Sequence, residues 1–474
     1  MHLLRAKKPQ PLAIIVIAVV LLVAVVVVVA IVLVILIIVL LIVALILVIV
    51  LLVLIIAVVL LVILLIHDFT LLSECYVDSF AHVRQTIHGK KEAGFMLIQS
   101  GLVFTMETEQ PAEMDVQIKD GKITKIAPAI KPGKDEAAFN AKGMRVYPGF
   151  IDAHSHIGIA QEKETVQGDI TNEGTNPITP CMRAIDAINP MDSAFHNAIA
   201  SGITGVMVGP GSANPIGGQF AFIKTDGRCI DEMIVKAPAA IKIAFGENPM
   251  TNYGINGNMP STRMAIASLI REELFRAKQY FASEKDGVQK DYTLECYRDL
   301  FEGKIPLKAH VHRADDIFTA IRIAKEFDLG LTLDHCTEGH LIADEIARSG
   351  YPAIVGPTLA SRTKDEVAQS DFKTPGILQR AGVTVALTTD HPVSRIQCLP
   401  LCAGLAAREG WDEWHALRAI TIDAARICRV DDRLGNLAPG KDADLVVWEG
   451  NPLEIKSSVK AAFINGRQVW PRER

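Results

Sequence analysis

Residues 305–356 read IPLKAHVHRADDIFTAIRIAKEFDLGLTLDHCTEGHLIADEIARSGYPAIVG. Short apolar runs (IPLKAHVH, LTLDH, YPAIVG) alternate with stretches whose apolar residues recur at helical spacing (ADDIFTAIRIAKEF, HLIADEIARSG), a rhythm that predicts strand and helix units feeding a parallel sheet. The same alternation extends from about Val146 to Cys428, close to the roughly 250 residues of an eightfold barrel. Candidate strands lie near residues 149, 204, 234, 242, 307, 332, 353 and 385, so the fold class expected is α/β, a (β/α)8 TIM-type barrel. A doubly wound sheet is the rival. No strand is followed by GxGxxG, however, and GPGSANPIGG at 209–218 lacks the Lys-Ser/Thr of a phosphate loop.

Outward from the barrel, both flanks change character. MLIQSGLVFTM and MDVQIKDGKITKIAP, from Met96, read as strands with an Asp-Gly hairpin turn, and KDADLVVWEG and KAAFINGRQVW return to strands after Leu434. The organisation expected is a small β-sandwich made jointly by residues 95–146 and 434–474, with the barrel over 147–433 between them.

Residues 1–94 form an extension of another kind. Every residue from Leu12 to Ile66 is Ala, Val, Ile or Leu. As one helix this tract would be about 80 Å long, against a hydrocarbon core of about 30 Å. Two membrane spans would fit, yet no Gly, Pro, Asn or charge marks a turn between them. Arg5, Lys7 and Lys8 ahead of the tract put the N-terminus in the cytoplasm, and a two-span hairpin leaves the remainder there as well. The tract is too long for the core of a signal peptide, which argues against secretion. The competing reading is a low-complexity stretch ahead of an enzyme that starts at Met96, with 67–94 as linker.

The 48 basic and 53 acidic residues give a net charge of -5 with no long block of either sign, which excludes the basic footprint of a nucleic-acid binder. Eight scattered cysteines without a CxxC pair fit reduced thiols, hence a reducing, cytoplasmic compartment.

The chemistry concentrates at strand ends. In PGFIDAHSHIG, His154 and His156 are two apart, so an extended strand turns both rings to one face. His310 and His312 close IPLKAHVH, His335 closes LTLDH, and Asp390 closes VTVALTTD. Each therefore falls where a barrel strand delivers side chains to its catalytic mouth. Mixed histidine and carboxylate ligands with an open position suit zinc or a similar divalent ion. Cys336 invites a thiol nucleophile, but it neighbours His335 and strand alternation turns it away from the site.

Taken together and in this order, PGFIDAHSHIG, LKAHVHR, LDHCTEGH, VALTTDHP and LAPGKDADLVVW resemble the amidohydrolase superfamily, especially its imidazolonepropionase-like members, from Met96 to the C-terminus. The resemblance implies a metal-dependent β/α barrel with a terminal β-sandwich. By it His154 and His156 match first-strand ligands, His310 the fifth-strand ligand, His335 the sixth-strand histidine and Asp390 the eighth-strand aspartate. His312 is either a ligand, a support for one, or a substrate contact, and His340 is a rim or structural residue. One or two ions per chain are expected. A bridge between two would come from a carboxylated Lys242 or from Glu247.

The reaction implied is hydrolysis of a C–N bond, other than a peptide bond in a protein, in a small cyclic amide or related molecule by metal-activated water. Asp390 would move the proton and His335 would hold the oxyanion. A metallo-dipeptidase of the same superfamily is one alternative, and a non-catalytic, membrane-tethered metal-binding scaffold is another. In GPGSANPIGGQF, Asn214 and Gln219 are candidate substrate contacts, unless the glycines simply mark a tight turn. Arg183, Arg313 and Arg362 are candidate carboxylate clamps left unassigned. The partners expected are a small-molecule substrate, no nucleic acid, a membrane through residues 12–66, and, by the resemblance, a second copy in a homodimer.

Overall fold

In a computed structural model of the chain, residue 20 and residues 95–133, 137–162, 170–283 and 289–471 are described. The membrane tract expected at 12–66 and the linker at 67–94 lie outside them apart from Val20. Among the described residues no helix is long and apolar enough to cross a membrane.

The N-terminal strands are β1 (Met96–Val103), β2 (Ala112–Lys119), β3 (Lys122–Ala127), β4 (Ala137–Asn140) and β5 (Arg145–Pro148). The expected hairpin joins β2 to β3, with Asp120 and Gly121 at φ +52° and +75°, the positive values that a two-residue turn demands.

The barrel strands follow: β6 (Phe150–Ser155), β7 (Ile203–Val208), β8 (Ile216–Lys224), β9 (Ile234–Ala244), β10 (Leu307–Val311), β11 (Leu331–His335), β12 (Ala353–Val355) and β13 (Val385–Leu387). They form one eight-stranded sheet in chain order. All but β8 run parallel, and β8 is antiparallel to both neighbours. Two details of the expected barrel are thereby corrected. The apolar runs near 234 and 242 are one long strand, and the missing strand is β8, which takes up the second half of the glycine-rich stretch read as a loop. The physical reason for the reversal is length, because residues 209–215 cannot hold the dozen or so residues that a parallel crossover requires.

Alternation sorts the strand residues between two cores. Leu307, Ala309, Val311, Leu333, Val355 and Leu387 pack in the large core, together with Ile317, Ala320 and Ala324 of the helix Ala314–Phe327. Phe220, Phe222, Ala240, Ile354 and Ala386 form the second. Between β13 and β6 the seam is filled by the Ala419–Ile420 backbone, whose carbonyls accept from Leu387 N at 3.1 Å and Ile151 N at 2.8 Å. Thr389 adds a side-chain tie, donating from Oγ1 to Asp152 at 2.6 Å.

The last strands are β14 (Leu445–Glu449), β15 (Ser458–Ile464) and β16 (Arg467–Trp470). β14 pairs antiparallel with β5, so the strands flanking the barrel on either side share a second hydrogen-bonded sheet, ordered β16-β15-β14-β5-β1-β2-β3 with β4 on β1. Its strands also divide by parity. Leu445, Val447, Ala461 and Phe463 enclose the sheet's own core, while Val446, Trp448, Ala462 and Ile464 join the barrel core.

Candidate metal centre

Strand ends bring His154, His156, His310, His335 and Asp390 together, all buried. His154 Nε2 lies 3.6 Å and His156 Nε2 3.2 Å from Asp390 Oδ1. The ring centroids of His154 and His335 are 5.0 Å apart, and those of His310 and His335 are 4.4 Å apart. Ligand-type atoms of His154, His335 and Asp390 fall within 4.8 Å of one another, and so do those of His310, His312 and Glu366.

Hydrogen bonds behind the rings fix which nitrogens carry protons. His156 Nδ1 donates to Gly209 O and His335 Nδ1 to Gly356 O, both at 2.7 Å. His154 Nδ1 donates to Asp334 Oδ2 at 2.5 Å. In His154 and His335, whose charged forms burial disfavours, Nε2 is left as a lone pair facing the other ligand-type groups, the outer support expected around metal-ligating histidines. Burial, reinforced by nearby Lys242 and neighbouring imidazoles or lysines, pushes His154, His310 and His312 well below the ordinary imidazole range. The rings are consequently neutral and available as ligands.

Does a cation fit these residues? His310 Nε2, His335 Nε2 and Asp390 Oδ1 are buried without a hydrogen-bond partner. Each such buried polar atom costs about 1–3 kcal/mol, more if charged. Acceptors facing acceptors are satisfied by a cation, so the donor set fits a divalent metal ion. The same geometry bears on His335. With Nδ1 committed to Gly356 O, its neutral ring can ligate through Nε2 but has no second proton for an oxyanion.

Of the two bridging candidates, Lys242 is the one beside the ligands. It is fully buried on β9, its Nζ is 3.4 Å from His154 Nε2, and Gly217 on β8 leaves room for its stem. Burial brings its ammonium down to about 8 against the opposing pull of Asp334 and Asp390. Glu247 Oε1 instead accepts from Glu366 N at 3.1 Å at the start of the helix Glu247–Gly254.

Three supporting residues escaped sequence reasoning. Lys308 shares the period-two face of His310, which was a usable signal, and its Nζ reaches Asp334 Oδ2 at 3.0 Å and Ala153 O at 2.9 Å. Asp334 was hidden by the alternation rule. Glu366 gave no signal because it stands on a single 3-10 turn, Asp365–Val367, outside any barrel strand, where Lys364 Nζ meets its Oε1 at 2.9 Å.

Other candidates fall elsewhere. Asn214 Nδ2 is spent on Glu173 O and Asn176 O, both at 2.8 Å, and on Tyr253 Oη at 3.0 Å, so it ties a loop. Gln219 Nε2 donates to Pro180 O at 3.3 Å. Arg183 is paired with Asp186 and Arg313 with Asp315. His340 meets Thr374. Cys336 sits in the apolar core, where burial pushes its thiol up to about 12. A cleft of about 280 Å³ opens on His156, His310, His312 and Asp390, with Arg362 and Lys364 on its wall.

A model described as "Amidohydrolase family" matches residues 145–469. The chain is similar to amidohydrolase tasK of Hapsidospora irregularis, 28% identical over 391 residues that cover 74% of this chain and 39% of that protein. It therefore spans about two fifths of the length of that relative. It is also similar to the imidazolonepropionase of Desulfotalea psychrophila, 23% identical over 79% of this chain and 92% of the relative. The crystal structure of an amidohydrolase from Thermotoga maritima MSB8 shares 40% identity and superposes with a TM-score of 0.77, over 80% of this chain and all of the other. The family match spans the whole barrel and runs on into the last strands, and the chain belongs to the amidohydrolase family.

Proposed function

We propose that the chain is a metal-dependent hydrolase of C–N bonds, other than peptide bonds in proteins, acting on a small cyclic amide or related molecule. The observation that carries this reading is the set of imidazoles and one carboxylate gathered at the barrel mouth, with His310 Nε2, His335 Nε2 and Asp390 Oδ1 buried without partners. A divalent ion such as zinc, held there by His154, His156, His335 and Asp390, would lower the pKa of a coordinated water and polarise a carbonyl. His310, with a carboxylated Lys242, would hold a second.

The chain's own residues do the rest. Asp390, its Oδ1 without a hydrogen-bond partner and its backbone N held by Thr388 Oγ1 at 2.9 Å, takes the proton from the attacking water and passes it to the leaving nitrogen. His312 lines the cleft, and its Nδ1 lies 2.8 Å from Thr337 Oγ1, a hydroxyl that can donate or accept. It can therefore present an N–H to a substrate oxygen, the role that His335 is not protonated to fill.

A dipeptidase is a second reading with one feature in its favour, the guanidinium of Arg362 on the cleft wall, which suits a free carboxylate. A panel of cyclic amides, imidazolones, N-acyl amino acids and dipeptides, offered to zinc-loaded protein, separates the two. Elemental analysis should find about one or two divalent ions per chain, and a metal-free protein with full activity would end the proposal. Asp390→Asn should lower turnover by about 10²–10⁴-fold with the circular dichroism unchanged, and near-normal turnover would remove it as the proton carrier. Bicarbonate should raise the metal content of the wild type but not of Lys242→Ala; equal loading in both would leave a single ion or another bridge.

A further inference from the structure

Cys181 and Cys296 are 115 residues apart in sequence, yet their Sγ atoms lie 2.6 Å from each other. That is well inside the roughly 3.5–4 Å at which unbonded heavy atoms rest. The Cys181 segment is held on β8, where Gln219 N donates to Met182 O at 2.7 Å and Gln219 Nε2 to Pro180 O. Cys296 caps the helix Tyr292–Glu295, and the next residue, Tyr297, is fully buried in the large core. Both thiols are half-buried, within reach of a small reagent. Cys229, Cys336, Cys398, Cys402 and Cys428 are unbonded elsewhere.

We infer that Cys181 and Cys296 form a reversible redox modification site, a dithiol that a small-molecule disulfide such as oxidised glutathione converts to an internal cystine. One protein sulfur attacks the oxidant's S–S bond, forming a mixed disulfide and releasing one small thiol. The second protein sulfur displaces the other small thiol and closes the Cys181–Cys296 bond. Two protein thiols are oxidised by two electrons, the oxidant is reduced to two thiols, and these carry the two protons. Burial and the adjoining Cys181 sulfur push the Cys296 thiol up to about 12, which preserves the dithiol where no oxidant is present. Closure fastens the segment that follows the cleft-wall residues Thr171 and Asn172 to the C-terminal end of the helix Tyr292–Glu295. The site is independent of the metal centre and of the reaction proposed for it.

The test is a peptide map of the full chain after treatment with oxidised glutathione, before and after dithiothreitol. The expected product is a Cys181–Cys296 cross-linked peptide two hydrogens lighter than its separate halves, accompanied by a rise in Tm of about 3–5 °C. Dithiothreitol should reverse both changes, and Cys181→Ser and Cys296→Ser should each show neither. Two separate glutathione adducts, or two freely alkylated thiols with no cross-link, would overturn the inference. Because the wild type itself supplies this readout, a variant that fails to fold does not shelter it.

Discussion

His335 and Asp390 hold backbone φ values of +70° and +51°, a region that costs an L-residue roughly 1–2 kcal/mol. Hydrogen bonds offset the strain, from His335 Nδ1 to Gly356 O and from Asp390 N to Thr388 Oγ1. The kink at His335 also breaks the strand's two-sided alternation, so adjacent Asp334 and His335 both serve the centre. Asp334 accepts from His154 Nδ1 and from Lys308, which fixes the ring that a cation would use. Asp334→Asn should therefore weaken zinc affinity by about 10–100-fold with the fold retained. Competition against a chromophoric chelator measures this, and an unchanged affinity would show that Asp334 plays no supporting part. Histidine spacing and strand ends made His154, His156, His310, His335 and Asp390 legible in the sequence. Asp334 was illegible because periodicity assumes a φ that the strand end does not adopt.

At the scale of elements, β8 explains why strand counting went astray. Its Ile216–Lys224 run has two glycines directly after Ile216, which read as a turn but serve close packing. A Cβ on Gly217 would meet Lys242 Cγ at 3.3 Å, and one on Gly218 would meet Met182 O at 2.3 Å, at φ +122°. Parallel strands bracketed by clear helices, β10 to β13, were readable from their apolar runs. The reversed strand was not, because its signature depends on what packs against it. Gly218→Ala should cost about 2–4 kcal/mol, combining a disfavoured φ with a backbone clash. Gly143→Ala, at φ +76° with open space around it, should cost only about 1 kcal/mol. Urea midpoints at constant slope give both values, and equal costs would mean that the close approach at Gly218 contributes nothing.

For the whole molecule, one buried cation spans the joint between barrel and shared sheet beside its apolar contacts. Lys224 ends β8 and extends Nζ to Asp442 Oδ2 at 2.8 Å, Asp444 Oδ1 at 2.9 Å and Asn465 Oδ1 at 2.6 Å. Lys224, Asp442 and Asp444 are all buried. Sequence patterning revealed that the segments flanking the barrel build one sheet, because both read as strands. It gave no sign of this joint, whose partners lie more than two hundred residues apart. The two carboxylates respond to pH in opposite senses. Asp442, although burial raises it, is carried down to about 2 by hydrogen bonds from Lys122 and Lys224, with Arg433 adding to them. Its contribution is present above the unfolded value near 4 and is lost as pH falls toward 2. Asp444 is raised by burial, only partly countered by Lys224, so its ionised form opposes folding as pH rises through its folded value. Removing the cation leaves Asp444 buried without its charge partner. Lys224→Met should accordingly destabilise the chain by about 3–5 kcal/mol at pH 7. The loss should shrink at pH 5, where the stranded carboxyl of Asp444 can take up a proton, and adding Asp444→Asn to the variant should recover part of it. Urea unfolding of wild type, single variant and double variant at both pH values tests the assignment. A loss that is small, independent of pH and not relieved by Asp444→Asn would mean that the apolar contacts of Trp448, Ala462 and Ile464 hold the sheet to the barrel without help from this network.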